Sequence, residues 1–144
     1  MKTIFTHHTI TIEHCPKADY IHLLWQGTVE LEVYKEALTA CADYAIGHKV
    51  SRFLVDQSAL EYVGSAAQAW LSVVWFPRME RSLDTNAYFA IVASPKLFVN
   101  VASKVVAKKI SQKNTKHVIW YFEDDAQAKE WLLGEDSMTE WETT

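Results

Sequence analysis

The sequence predicts a single α/β domain: a mixed, mostly parallel sheet of about five strands, opened by a β-hairpin, with about four helices packed on it. Three observations predict it. Two alternating stretches, Thr9–His14 and Tyr20–Gly27, flank a turn signal at Cys15–Asp19. After that pair, amphipathic and short apolar runs alternate as α-β-α-β-α-β-α. No linker, repeat or low-complexity segment divides the 144 residues, a length that fits one domain.

Each element follows from its residues. Ile10 and Ile12 share one face of the first strand, Pro16 and Asp19 supply the turn, and Thr28 is placed to cap what comes next. From Glu30 to Ile46, Leu31, Tyr34, Leu38, Cys41, Ala42 and Ala45 recur at helical spacing, and Gly47 is expected at the left-handed C-terminal position. "RFLVD" (Arg52–Asp56) is apolar on both faces, as a central strand requires, and a loop is expected after Asp56. A second helix is predicted from Ser65 to Phe76. It should kink or restart at Pro77, whose ring removes a donor and crowds the preceding turn. Asn86–Ala93 is a buried strand, and Ser94 and Pro95 open a third helix ending near Ile110. His117–Phe122 is the last strand, and "DDAQAKEWLLG" is a short helix capped by acids and closed by Gly134. The domain then spans 1–134, and 135–144 is expected to be a flexible acidic tail.

Charge excludes some functions. The formal net charge is −4, so nucleic acid is not an expected partner; phosphate binding needs a concentrated basic face. The charge is uneven, with six lysines and no acid from Lys96 to Lys116, and eight acids with one lysine from Glu123 to Glu142. Two solvated faces explain this, and so does an oriented field that selects partners. Cys15 and Cys41 form neither a disulfide framework nor a zinc pattern. The alternating N-terminus does not read as a signal peptide, and no apolar run reaches the ~20 residues of a membrane span. A cytoplasmic protein with reduced thiols is the expectation.

The chemistry-bearing candidates are few. "VGSAA" around Ser65 lacks the G-x-S-x-G of a nucleophile elbow, and nothing in the sequence brings a histidine to it. "SAAQ" instead fits a capping box, with Ser65 accepting from the helix and Gln68 reaching back. Asp56, at the carboxyl end of a central strand, is expected to fix the following loop by bonding backbone amides. His7, His8, His14, Cys15 and His22 do not have the paired spacing of a zinc site, so no metal or other cofactor is expected. The helix "SAAQAWLSVVWF" is apolar nearly all round, with Ala67, Trp70 and Val74 on one stripe. It is buried on two sides, or it presents Leu71, Trp75 and Met79 to a second copy or a ligand. The third helix, with Phe98, Val101 and Val105 among lysines, is amphipathic with a basic outer side.

The string after the central strand resembles that of the STAS domains, whose SpoIIAA-like fold is found in anti-sigma-factor antagonists. Their signature is D-x-S-x-[VL]-x-[FY]-[IM]-D-S-[ST]-G, and Asp56, Ser58, Leu60, Tyr62, Val63 and Ser65 fall in register with it. Gly64 stands in place of the family's second aspartate, and Ala66 and Ala67 replace the hydroxyl residue and glycine. The resemblance implies that Ser65 is a phosphorylation switch controlling a protein partner. From about residue 5 to residue 133 the chain is also similar to the STAS/SEC14-related group, through Leu54–Asp56, Trp70, Pro77 and "DDAQAKEWL". That similarity implies a hydrophobic ligand as the alternative.

The leading expectation is therefore a non-enzymatic regulatory module of SpoIIAA-like fold. It would present Asp56, Ser58, Tyr62, Gly64 and Ser65 to an unknown protein partner, or to itself as a homodimer. The alternative is a carrier or sensor of a small hydrophobic molecule held near Trp70, Leu71, Trp75, Met79 and Phe98. An enzyme is third.

Overall fold

A computed structural model describes residues 1–93 and 117–134. Six strands form one sheet in the order of the chain: β1 (Lys2–His7), β2 (Ile10–Cys15), β3 (Tyr20–Val29), β4 (Arg52–Val63), β5 (Ala87–Ala93) and β6 (His117–Phe122). The first three are antiparallel neighbours; β3 to β6 run parallel. Between them lie α1 (Leu31–His48), α2 (Ser65–Trp70), a π-helical turn at Leu71–Trp75, and α3 (Phe76–Ser82). Helix α4 (Asp125–Leu133) follows β6. The expected third helix, with Phe98, and the tail 135–144 lie outside the described residues.

The sheet separates two apolar layers. On one face Ile10, Ile12, Ile21, Leu23, Trp25, Phe53 and Phe89 pack under α1 and the α2–α3 segment. On the other, Leu54, Ala90 and Val92 meet Ala128 and Leu132 of α4, beside Cys15 and Tyr20. Strand alternation makes this division: cross-strand partners Phe53 and Phe89 point one way, Leu54 and Ala90 the other.

Four expectations need correction. Strand β1 is an edge strand beyond the expected hairpin, with a bulge between Thr3 and Phe5 that sets Ile4 and Phe5 side by side. Strand β4 does not stop at Asp56. It continues along β3 to Val63 through two register shifts, and Asp56 Oδ1 accepts from the Ser58 amide (2.9 Å) and hydroxyl (2.6 Å) beside the first of them. The left-handed residue that ends helix α1 lies two positions after Gly47. Lys49 takes the left-handed conformation (φ 56°), and the buried Val50 closes the end by donating to the Ala45 carbonyl. Burying Val50 outweighs the left-handed strain on Lys49.

The fourth correction concerns the second helix. Pro77 lies in the first turn of α3, which opens at Phe76 directly after the π-helical turn, so the change of helix type comes just before the proline. The helix widens just upstream, and the Phe76 amide bonds the Leu71 carbonyl five residues back. That widening makes room for a proline ring that would otherwise press on the carbonyl four residues before it. The inward stripe is consequently Ala67, Leu71, Trp75, Met79 and Leu83, one residue in four, and Val74 is exposed. A strict α-helix would turn such a stripe away by ~40° at every step.

His117 opens β6 and donates from Nε2 to the Phe76 carbonyl (3.1 Å), with the Phe76 and Phe89 rings around it. Burial pulls its pKa down, more than the Phe76 bond and the Glu80 charge pull it up. The unfolded chain thus takes up this proton more readily than the folded one. The contribution of His117 to stability is full above its ordinary pKa of about 6.5 and is lost as pH falls below it. The unfolding free energy from urea titrations should fall between pH 7.5 and 5.5, by no more than ~1.4 kcal/mol per pH unit from this group. His117→Gln, which keeps a donor, should flatten that part of the profile; an unchanged profile refutes the assignment.

Candidate functional site

A cavity of about 70 Å³ lies between the sheet and the α1/α2 layer. Leu23 and Trp25 of β3, Phe53 and Val55 of β4, and Phe89 and Ile91 of β5 form its floor. Tyr34 and Leu38 of α1, Leu71 and Trp75 of the π turn, and Phe76 form its roof. Among the described residues, Gln57 is the one lining residue that is neither apolar nor aromatic. The parallel register makes the floor, because Leu23 stands opposite Val55, and Val55 opposite Ile91. Val55, Gln57 and Ile91 are partly exposed while Phe53 and Phe89 are buried, so the cavity opens toward the carboxyl ends of β4 and β5. Open α/β sheets hold ligands at that end.

The walls are rigid and mutually braced. Phe53 stacks on Phe89 (centroids 4.7 Å apart, planes 8° apart), and Trp75 meets both edge-on. Trp25 stacks on Tyr34 at 5.2 Å, and Tyr34 receives the edge of Trp70. The Trp75 indole N–H donates to the Leu38 carbonyl (2.6 Å), which fixes the ring as a partition rather than a mobile lid. Such pairs gain about 0.5–1.5 kcal/mol beyond their burial. Burial pushes the Tyr34 hydroxyl up to about 12, so the cavity wall is uncharged at neutral pH. Cys41, fully buried in α1, is likewise pushed up to about 12 and has none of the thiolate character of a nucleophile.

The sequence-based candidates fall into three places. Leu71 and Trp75 line the cavity. Trp75 and Met79 are buried, so neither offers a surface to a second copy; the exposed apolar residues of that segment are Val73 (73 %) and Val74 (47 %). Trp70 is half-buried against Tyr34. Ser58, Tyr62 and Ser65 are exposed, with Tyr62 61 % accessible. The capping box is not formed. Gly64 is the extended N-cap (φ −68°, ψ 161°), Ser65 is already the first helical residue, and Gln68 Nε2 donates to the Val63 carbonyl (3.1 Å). The strand delivers the chain one residue late for Ser65 to cap the helix.

The opposite face of the sheet carries a second grouping. One ring nitrogen of His22 and one carboxylate oxygen each from Asp56 and Asp125 lie within 4.8 Å of one another. His14, considered with His22 as a ligand pair, faces the α1 layer instead and is held by the Tyr44 hydroxyl (2.7 Å) and Asp19 (3.1 Å). In the antiparallel ladder Glu13, not His14, stands across from His22. The residues that sequence reasoning missed are Trp25, Tyr34, Phe53 and Phe89 of the cavity wall, and Asp125. The first four carry the signal of ordinary core residues, and Asp125 that of a helix-end acid.

Comparison with solved structures places this architecture. A search of protein-family models finds no match, and a search of curated proteins finds none. Among solved structures the chain is similar to an uncharacterized protein of the DUF3478 family with a SpoIIAA-like fold, from Shewanella loihica PV-4. The two superpose with a TM-score of 0.58 over 85 % of this chain and 91 % of that one, at 21 % identity. The fold is therefore SpoIIAA-like, as the order of elements and the string around Ser65 imply. Among the described residues no helix is long and apolar enough to cross a membrane.

Proposed function

We propose that this protein binds a small apolar molecule between its sheet and the α1/α2 layer, as a non-enzymatic carrier or sensor. The observation that carries this reading is the aromatic-walled cavity, open at the carboxyl ends of β4 and β5. A packed interior leaves few voids, and one lined by six aromatic rings suits an apolar ligand. Its volume of about 70 Å³ is near half the roughly 150 Å³ that accepts benzene in an engineered cavity. The ligand is a compact apolar group, or one end of a longer molecule whose remainder leaves past Gln57. Gln57 supplies the amide that orients it. Both cysteines are free, which fits a reducing compartment such as the cytoplasm.

Titration with benzene and indole, followed by methyl and aromatic NMR shifts, tests the reading. Shifts should saturate and cluster on Leu23, Val55, Leu71 and Ile91. Leu71→Phe, which adds volume at the roof, should weaken binding at least tenfold. Shifts scattered over the surface, or equal binding by the Leu71→Phe protein, would reject it.

A second reading has its own support. Ser65 is exposed in the first helical position, where amides without intrahelical partners and the helix dipole favour a phosphate. With Ser58 and Tyr62 exposed nearby, this end of β4 is suited to a regulatory protein partner, with the Asp56–Ser58 bond and Gly64 setting the path of the chain. Ser65→Asp should preserve the fold and change retention of the partner in a quantitative pulldown from the source cell. Identical retention removes the switch.

A further inference from the structure

We propose that His22, Asp56 and Asp125 form a binding site for a divalent transition-metal ion of the zinc type, on the face of the sheet opposite the cavity. Three elements converge to build it. His22 on β3 and Asp56 on β4 share that face because His22 stands opposite Leu54 in the parallel register, one pleat before Asp56. The first turn of α4, docked on the same face through Ala128 and Leu132, brings Asp125 to them. Their ligand atoms lie within 4.8 Å of one another. Ligands held about 2.0–2.2 Å from one ion stand roughly 3.3–3.6 Å apart in a tetrahedron, so side-chain rotations of about 1 Å complete the set.

An independent observation points to a ligand at this place. His22 Nε2 is sealed from solvent and has no hydrogen-bond partner among the described residues, a rare state for a buried polar atom. Asp56 is already oriented as metal-binding carboxylates are: its Oδ1 accepts from the Ser58 amide and hydroxyl, leaving Oδ2 for an ion. Asp125 Oδ2 has Lys129 Nζ at 3.4 Å, a half-exposed pair that an ion of higher charge displaces. Glu13, across the ladder from His22, adds negative charge beside the group. One imidazole with two carboxylates favours zinc, cobalt or manganese over magnesium and calcium, which prefer all-oxygen sets. Water completes the coordination.

Equilibrium dialysis of the full chain against Zn²⁺, with Co²⁺ as a spectroscopic substitute, decides the matter. The other acids between Glu123 and Glu142 attract cations by charge alone, so competing Mg²⁺ in excess is included. One Zn²⁺ per chain should remain, and Co²⁺ should show the visible bands of a nitrogen-containing low-coordinate site. His22→Gln and Asp125→Asn should each weaken Zn²⁺ binding at least tenfold, while Asp124→Asn, at the helix cap, should not. Asp125 is a partly exposed surface residue, so its variant tests the site even if His22→Gln unfolds. Absence of stoichiometric Zn²⁺, or equal binding by Asp125→Asn and the parent protein, overturns the proposal.

Discussion

Trp75→Ala lowers the free energy of unfolding by about 3–5 kcal/mol, a large part of the ~5–15 kcal/mol that holds a domain together. The loss has three parts. The indole is buried, so its apolar surface is no longer removed from water. The Leu38 carbonyl loses the N–H that lies 2.6 Å from it. Phe53 and Phe89 each lose an edge-on neighbour, and a void opens beside the existing cavity because the sheet behind it cannot collapse inward. Trp75→Phe keeps a ring and loses the hydrogen bond, and should cost roughly a third as much. Denaturation by urea followed by far-ultraviolet circular dichroism measures both. A loss under about 1 kcal/mol for Trp75→Ala would mean that the π turn is not packed on the sheet as described.

Leu132→Asp has the second large effect, and a local one. Helix α4 docks through only two fully buried residues, Ala128 and Leu132. Leu132 packs among the apolar Leu54, Ala90 and Val92, where burying a carboxylate costs several kcal/mol. The helix then detaches, leaving Leu54, Ala90 and Val92 exposed. Hydrogen exchange should show the amides of Asp125–Leu133 losing protection while β2 to β5 retain theirs. Uniform loss across the sheet would show instead that α4 and the sheet unfold as one unit.

Much of this fold is legible in the residues, and the rest is hidden for physical reasons. Strands β2 and β3 alternate over most of their length, and α1 keeps its stripe from Tyr34 to Ala45, because each buries mainly one face. The second half of β4 is hidden because Ser58, Ala59, Glu61 and Tyr62 are all exposed. That stretch is a strand through backbone pairing with β3, which side-chain pattern does not report. The cavity is partly legible. Leu71 and Trp75 invite attention as aromatic or apolar excess, but Phe53 and Phe89 are indistinguishable from packed core, since a void is a property of how rings meet. The His22 grouping is the least legible of all. Asp125 follows the capping Asp124, whose Oδ1 accepts from the Gln127 amide at 2.8 Å, and looks like a second helix-end acid until the sheet brings β3 and β4 beneath it.

The π turn has a consequence for how this chain is compared with its relatives. Leu71–Trp75 contains one residue more than an α-helix would need to join the same two ends. A relative with a regular helix there would space its inward residues four, three and four apart where this chain has four, four and four. Aligned without a gap, the two sequences would agree up to Leu71 and then run one position out of phase. Met79 would be matched to a residue turned by ~100° from it, on the solvent side of the relative's helix. A single gap placed between Leu71 and Trp75 restores the correspondence. In aligning chains of this fold, the position of that gap matters more than the identities that flank it.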